Sequence, residues 1–309
     1  MTPSTFGPEG VFEGNRIMKS QQGFPLAYSF EFFPPKTEKG AEKLLAVSKK
    51  LAAKNPCFFS VTFGAGGSTQ ERTLETVITV KQHTGIDVAP HLSCIGSTRE
   101  RIRDILNTYI DNDIHHLVAL RGDMPSGMHT AGEFRYANEL VEFIRAETGQ
   151  HFFIEVAAYP EFHPQARTAE ADLTNFKRKV DAGADAALTQ YFYNVDAYTA
   201  FIDGCEKRGI EIPVVPGIMP ITNYSSLARF SDACGAEIPR WIRRRLEGFG
   251  DDVESIKAFG LDVTTELCRK LLECGAPGLH FYTMNQAEPT LTIWDNLGLK
   301  SDKASRALR

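Results

Sequence analysis

Residues 27–54 read AYSFEFFPPKTEKGAEKLLAVSKKLAAK and contain the pattern that decides the fold. The first eight residues are mostly aromatic or small, as in a buried β-strand, whereas residues 38–54 repeat their apolar positions with the period of a helix. The turn between them lacks the glycine fingerprint that a dinucleotide-binding open sheet carries after its first strand. The stretch therefore predicts a strand–helix unit of another parallel α/β architecture.

The same alternation recurs along the chain. The further strand candidates are CFFSVTFG (57–64), VAPHLSC (88–94), HHLVALRGD (115–123), FFIEVAAYP (152–160), AALTQYFY (186–193), IPVVPGIM (212–219) and PGLHFYTMN (277–285). Helical sequence follows them, for example from Arg99 to Leu106 and in the segment that stops at Gly209, with extra helical material at 223–274. Eight such units predict an α/β fold, a closed parallel (β/α)8 TIM barrel, with a doubly wound open sheet as the alternative.

Length and composition restrict the organisation further. The 309 residues suit one barrel, and we predict a loose arm at 1–23, the barrel at 24–299 and a polar tail at 300–309. A net charge of −5 argues against broad nucleic-acid binding. No apolar run is long enough for a membrane span and the N-terminus lacks a signal-peptide pattern, so we expect a cytoplasmic protein. The six cysteines form no CxxC pair, which predicts reduced thiols and no metal site.

Polar residues interrupt the strands near their carboxyl ends, where barrels of this type place their chemistry. Glu31 lies between Phe30 and Phe32, and the alternation of a strand points it away from both. Poor solvation among aromatic residues predicts a raised pKa and a role in giving up a proton. A Glu paired with Arg or Lys at the barrel mouth is an equally good interpretation of the same residue.

The other polar positions also permit two interpretations. Asp123 either takes part in chemistry or forms a local ion pair with Arg121, and His91 is either a ligand-binding or a core histidine. The sequence GAGGST (64–69) resembles a phosphate-binding loop but lacks its lysine, so a tight turn explains it as well.

One helix carries a polar stripe beside its apolar one. Leu173, Phe176 and Val180 have the spacing of a buried face. The neighbouring stripe is either a solvated face or a site for a sugar and a diphosphate, because it offers an acceptor, an amide and two cations. Its members are Asp172, Asn175, Arg178 and Lys179.

Nine segments in series resemble the bacterial methylenetetrahydrofolate reductases, from about Tyr28 to Leu297. They are SFEFFPPK, SVTFGAGGST, APHLSC, LVALRGDMP, AAYPEFHP, DLTNFKRKVDAGAD, LTQYFYNVDAY, PGIMPITNY and GLHFYTMN. The resemblance implies a barrel that binds FAD without a Rossmann domain. It implies ping-pong reduction of 5,10-methylenetetrahydrofolate by NADH or NADPH in one-carbon and methionine metabolism, by a homotetramer without adenosylmethionine control.

The resemblance also implies residue roles. Glu31 matches the acid that opens the folate ring, and Asp123 matches a residue near the flavin and the pterin. Gln190 and Phe230 match substrate contacts, as do Ser226 and Gln286 toward the benzoyl-glutamate end, although the family often has Arg at Gln286 and its best-known bacterial form has Gln at Ser226. The positions matched to cofactor binding are Thr62 (near the nicotinamide), Phe63, Ala65, His91, Arg121, Gly122, Asp123, Tyr136, Ala137, Tyr159, His163, Asp172, Asn175, Arg178 and Lys179.

Other interpretations compete with this one. A flavin-linked proline dehydrogenase fits SFEFFPP and LRGD less well, and a pterin-binding transferase leaves the residues matched to FAD unexplained. A non-catalytic homologue is disfavoured because Glu31, Asp123 and Gln190 occur together. A reductase that passes hydride without flavin remains an alternative that a visible spectrum distinguishes.

Overall fold

The computed structural model describes residues 17–63, 67–123 and 132–301, apart from the side chains of residues 67–70. Its strands are β1 (Ala27–Phe32), β2 (Phe58–Val61), β3 (Val88–Ser93), β4 (His116–Leu120), β5 (Phe153–Ala158), β6 (Ala186–Thr189), β7 (Val214–Val215), β8 (Gly217–Ile218) and β9 (Gly278–Tyr282). Its helices are α1 (Lys19–Gln22), α2 (Glu38–Ala52), α3 (Gly67–Thr84), α4 (Arg99–Asp111), α5 (Ala137–Thr148), α6 (Ala169–Asp181), α7 (Val195–Glu206), α8 (Tyr224–Cys234), α9 (Arg240–Phe249), α10 (Val253–Glu273) and α11 (Glu288–Asn296).

The strands form a parallel sheet in the order β7-β6-β5-β4-β3-β2-β1-β9-β8. Because β7 and β8 are separated only by Pro216, the two ends of this order are joined through the chain and the sheet closes on itself. The closed parallel barrel with alternating helices confirms the predicted fold class and excludes the open-sheet alternative.

The seventh predicted strand differs from the prediction, because Pro216 divides it. Proline lacks an N–H and cannot donate to a sheet ladder, so β7 pairs with β6 while β8 pairs with β9. The Gly217 N–H instead donates to Thr189 Oγ1 (2.9 Å). A side chain at Gly217 would overlap the Thr189 carbonyl oxygen, so glycine is needed at this closure.

Alternation along the strands separates two buried regions. Phe30, Phe32 and Phe59 point outward and pack beneath the surrounding helices. A smaller apolar cluster inside the barrel contains Phe58, Ala89, Val118, Leu188 and Val215. The remaining inward positions are unusually polar for a barrel interior, which branched apolar residues ordinarily fill.

The described part of the predicted loose arm is packed against the barrel. Met18 is buried and its N–H donates to Cys274 O, while Gln21 donates to Ile212 O and accepts from the Val214 N–H. These bonds attach residues 17–23 to the amino-terminal end of the strands. The six cysteines are free thiols. Within the described ranges, no helix has the length and apolarity needed to cross a membrane.

Candidate active site

The carboxyl ends of β4 and β5 border a cavity of about 420 Å3, which we call the upper cavity. Arg121, Gly122 and Asp123 follow β4, and Tyr159 and His163 follow β5. The amino-terminal half of α5 and the polar stripe of α6 complete the wall. The predicted cofactor-binding residues that line it are Arg121, Gly122, Asp123, Tyr136, Ala137, Tyr159, His163, Asp172, Asn175, Arg178 and Lys179.

The polar stripe of α6 faces this cavity and is therefore not merely a solvated surface. Arg178 Nη1 donates to Asn175 Oδ1 (2.9 Å), and Lys179 Nζ donates to the Ala157 carbonyl oxygen. Burial lowers the pKa of Lys179 to about 8, although the nearby Asp172 opposes that shift. Arg178 and Lys179 therefore give one end of the cavity a positive character.

Asp172 lines the upper cavity and also makes a hydrogen bond that fixes a neighbouring loop. Its Oδ2 accepts the His163 N–H at 2.9 Å, so it holds the loop after β5 in place. Burial lowers the pKa of His163, whose Nδ1 accepts the Gln165 N–H. The His163 ring packs edge-on against Tyr159, with centroids 4.6 Å apart.

The turn after β4 is fixed by backbone contacts rather than by an ion pair. Arg121 Nε donates to the Gly122 carbonyl oxygen (3.1 Å), and no Arg121–Asp123 salt bridge occurs among the described residues. Gly122 has a φ of +85°, and its backbone touches Ser93. Asp123 is left exposed at the cavity and is close enough to Tyr159 to add to the effect of burial, which raises the pKa of Tyr159 to about 12.

Glu31 lies inside the barrel beside two histidines, one of which contacts a serine. We call these four residues the Glu31 cluster: Ser29, Glu31, His91 and His280. Glu31 Oε2 is 3.3 Å from His91 Nε2 and 3.5 Å from His280 Nε2. His280 Nδ1 lies 2.7 Å from Ser29 Oγ. The register of β1 and β9 sets Ser29 opposite His280, while Glu31 meets His91 across the interior because β2 separates their strands.

The predicted rise in the pKa of Glu31 is wrong. Burial alone would raise the pKa, but the imidazoles of His91 and His280, which both approach Oε2, outweigh burial and lower it to about 2. Phe30 and Phe32 point to the other face of β1, as the alternation requires, and do not surround the carboxylate. The alternative of an Arg or Lys partner is also wrong among the described residues, since both partners are histidines.

The positions predicted to bind substrate are distributed around the same end of the barrel. The Gln190 side chain follows β6 and accepts the Tyr191 N–H through Oε1. Phe230 and Ser226 lie on α8, where Phe230 is exposed and the Ser226 N–H is capped by Asn223. Gln286 is exposed after β9. Thr62 and Phe63 follow β2, while Ala65 lies outside the described residues.

Sequence reasoning missed several residues of this site. His280 lies two residues before Tyr282 on β9, so both side chains point to the same face of the strand. This spacing could have identified His280 from the sequence. Asn138, Gln165 and Ala166 also line the upper cavity without a sequence signal. Asn285, whose polar position at the end of the eighth predicted strand the sequence did indicate, joins the ends of β9 and β1. It accepts the Phe33 N–H and donates to the Phe33 carbonyl oxygen, both at 2.9 Å.

Comparison with known proteins identifies related sequences over almost the whole chain. A family model described as methylenetetrahydrofolate reductase matches residues 16–298. The 5,10-methylenetetrahydrofolate reductases of Escherichia coli (strain K12) and Salmonella typhimurium are each 40% identical over 286 residues, which cover 93% of this chain and 95% of theirs. A probable methylenetetrahydrofolate reductase (NADH) from Oryza sativa is 43% identical over 95% of this chain and 52% of its own length.

A solved structure resembles the fold at low sequence identity. It is an uncharacterized protein from Clostridium thermocellum that binds two copies of 5-methyl-5,6,7,8-tetrahydrofolic acid. The TM-score is 0.59 and the identity 15%, with 90% of this chain and 96% of that chain covered. At this identity the similarity concerns the barrel fold alone.

Proposed function

The chain belongs to the methylenetetrahydrofolate reductase family, and from this we propose that it reduces 5,10-methylenetetrahydrofolate to 5-methyltetrahydrofolate by a ping-pong reaction that uses FAD and NADH or NADPH. The observation that carries the proposal is that the upper cavity with its cationic end and the buried Glu31 carboxylate both lie toward the carboxyl ends of the strands. Redox chemistry on a folate needs both a site for the electron carrier and a group that handles a proton.

The chemistry of the upper cavity fits FAD. Arg178, Lys179 and Asn175 offer two cations and an amide at one end, which suits a diphosphate and its sugar. The lowered pKa of Lys179 supports this fit, since an ammonium desolvated by burial gains most from an anion. FMN would leave these contacts for the adenosine side unused, so we propose FAD.

The rest of the cavity suits the remainder of the cofactor. Arg121, Gly122, Tyr159 and His163 follow two neighbouring strands and face the same space. The chemistry that the flavin would supply when bound is hydride transfer between the nicotinamide and the folate. Asp123 would place a negative charge beside this space, which would disfavour further negative charge on the cofactor and so favour transfer of the hydride to the folate.

Glu31 handles the proton of the folate half-reaction. Opening the five-membered imidazolidine ring requires a proton at the leaving nitrogen, and in our proposal the Glu31 carboxyl donates it. Because His91 and His280 lower the pKa of Glu31 to about 2, the carboxylate is ionised in the free protein, and a neighbouring imidazole must supply the proton as the ring opens. The Glu31 cluster therefore acts as one unit rather than as an isolated acid.

The remaining positions orient the two substrates in turn. We propose that Gln190 and Thr62 contact the nicotinamide or the pterin, that Phe230 covers the bound folate, and that Ser226 and Gln286 meet its glutamate end. Gln286 lacks the charged planar fork of arginine, so a folate carboxylate is held there without a cation. We also propose a cytoplasmic homo-oligomer, a tetramer by family resemblance, that serves one-carbon and methionine metabolism.

The cofactor and the reaction are tested together on the purified protein. We expect a yellow protein whose flavin, released by acid, co-elutes with FAD, and we expect NADH to reduce it before methylenetetrahydrofolate is added. Chromatography should then detect 5-methyltetrahydrofolate. Recovery of FMN would contradict the cofactor assignment, and formation of the product by colourless protein would support the flavin-independent alternative.

The affinity for FAD should depend on pH through Lys179. The free ammonium has a pKa of about 8, and bound diphosphate raises it, so binding above pH 8 requires uptake of one proton. We expect the Kd to rise with pH above 8, approaching about tenfold per pH unit. Quenching of FAD fluorescence on binding measures the Kd from pH 7 to 9.5.

Two variants show whether Lys179 causes that dependence. Lys179→Met should bind FAD more weakly at pH 7 and lose the proton-linked slope. Lys177→Met is the matched control, because Lys177 lies on the same helix but pairs with Asp181 outside the upper cavity. A wild-type Kd that does not change between pH 7 and 9.5 would show that Lys179 does not face the anion.

A further inference from the structure

The amino-terminal end of the barrel contains a second cavity, of about 70 Å3, which we call the floor cavity. Its deep wall consists of inward residues of the strands, including Phe58, Val215 and Ser29. Its outer wall includes Lys81 and His115, which are partly exposed, so the cavity borders solvent at the end opposite the folate site. This space is large enough to hold water, which needs about 10–15 Å3 of such volume per molecule.

A His–Glu pair projects into this space. His116 on β4 and Glu155 on β5 place Nε2 and Oε2 3.4 Å apart, and the Glu155 side chain is 3% exposed. Neither atom makes an aligned hydrogen bond to any part of the chain that the structure describes. Buried polar atoms without such bonds are costly, and apolar residues fill this position in most barrels, so the pair calls for an explanation beyond packing.

The floor cavity reaches the Glu31 cluster through Ser29. The Ser29 side chain lines the cavity and its Oγ is 2.7 Å from His280 Nδ1. When Nδ1 accepts this hydrogen bond, the Nε2–H of His280 faces Glu31 Oε2 at 3.5 Å. The Phe58 ring packs at an interplanar angle of 49° against His116 (centroids 4.2 Å apart) and stacks on His280 (6.1 Å), so one ring contacts both the pair and the cluster.

Proton supply from the amino-terminal end of the barrel would allow Glu31 to be protonated while ligands cover the carboxyl ends of the strands. Flavin and folate occupy the carboxyl ends of the strands in the proposed function, and bound ligands there exclude water from Glu31. Yet each folate reduced consumes a proton through Glu31, which is ionised in the free protein. A second route to solvent would let the carboxyl be protonated while the folate site is covered.

We propose that protons reach Glu31 from the amino-terminal end of the barrel, taken up by the His116–Glu155 pair and passed through the floor cavity and Ser29. A proton leaves the pair for Ser29 Oγ by way of water, while the Ser29 O–H proton moves to His280 Nδ1. The His280 Nε2–H bond breaks as its proton forms an O–H bond on the Glu31 carboxylate, and that O–H bond breaks in turn as the N–H bond of the leaving nitrogen forms. One proton enters for each one delivered. The transfer leaves His280 with its proton on Nδ1, and a return to the Nε2–H tautomer between turnovers resets the route.

This proposal rests on the proposed function, and its test separates the two. Glu155→Gln and His116→Gln should each slow the folate half-reaction by about 10- to 100-fold, less than the ~10²–10⁴-fold of removing an acid outright. Flavin reduction by NADH should remain within about twofold. The double variant should be no slower than either single one, because both residues serve one route. Stopped-flow absorbance of the flavin follows each half-reaction.

Controls separate proton supply from structural damage. Asp185→Asn removes a carboxylate at the same end of the barrel that bonds Arg145 and the Ile154 N–H but does not line the floor cavity, and it should leave the folate half-reaction unchanged. Added imidazole should restore the rate of His116→Ala and leave Glu31→Gln slow. Wild-type rates in Glu155→Gln and His116→Gln would overturn the proton route, whereas wild-type protein that fails to reduce methylenetetrahydrofolate would overturn the proposed function itself.

Discussion

Glu31→Gln should leave the reduction of the flavin by NADH within about twofold of wild type and slow the folate half-reaction by ~10²–10⁴-fold. The amide keeps the shape of the side chain but cannot donate the proton that ring opening needs. Hydride transfer from the nicotinamide involves no proton at this carboxyl, so the two half-reactions should separate. Anaerobic stopped-flow measurement of each half-reaction gives both rate constants.

The difference between the effects on the two half-reactions distinguishes a proton donor from a residue that positions the flavin. Glu31→Gln also removes the negative charge beside His91 and His280, so flavin binding must be measured in the same variant. Glu31→Asp is the companion variant, because it keeps the acid at a greater distance and should retain more of the folate rate than the amide. Equal slowing of both half-reactions would make Glu31 a residue that positions the flavin, and an unchanged folate rate would assign the proton to another group.

The fold was predictable because its signals are local. Each inward–outward alternation and each helical period extends over one element, as in α2, where Thr37 caps the first turn and Leu44, Val47 and Leu51 form the buried face. The division at Pro216 was missed because the run IPVVPGIM is apolar on both sides of the proline. The packing of Gln21 against Val214 depends on residues far apart in the chain, which no local pattern reveals.

Family resemblance singled out residues that line one cavity, but the contacts that cross the barrel could not be predicted from the sequence. The upper cavity collects most of the residues that the resemblance matched to a cofactor. The pKa of Glu31 was predicted with the wrong sign because Phe30 and Phe32 are neighbours in sequence, whereas His91 and His280 are neighbours only in the closed barrel. The pairing of His116 with Glu155 likewise requires the register of β4 with β5.

Gly122→Ala should weaken FAD binding by roughly 30- to 150-fold. The backbone there has a φ of +85°, which costs a residue with a side chain about 1–2 kcal/mol. The added methyl would lie 1.8 Å from Ser93 Oγ and 3.0 Å from Ser93 Cβ, and so would break the bond from Ser93 Oγ to the Arg121 carbonyl oxygen, worth about 1 kcal/mol. If the turn relieves this strain by moving Arg121 and Asp123, FAD can bind only when the turn returns to its original conformation, which costs about 2–3 kcal/mol. Each ~1.4 kcal/mol of this cost raises the Kd about tenfold.

Titration of the apoprotein with FAD measures this effect, and two further variants assign its cause. Gly209→Ala has a similar φ of +65° with nothing within 4 Å of the added methyl, so it should lower stability by about 1–2 kcal/mol and leave the FAD Kd unchanged. Ser93→Ala combined with Gly122→Ala removes the overlapping hydroxyl and should recover part of the affinity, with the backbone strain remaining. Unaltered FAD binding in Gly122→Ala would mean that the turn tolerates the methyl without moving Arg121 and Asp123, and that its glycine serves the fold rather than the cofactor.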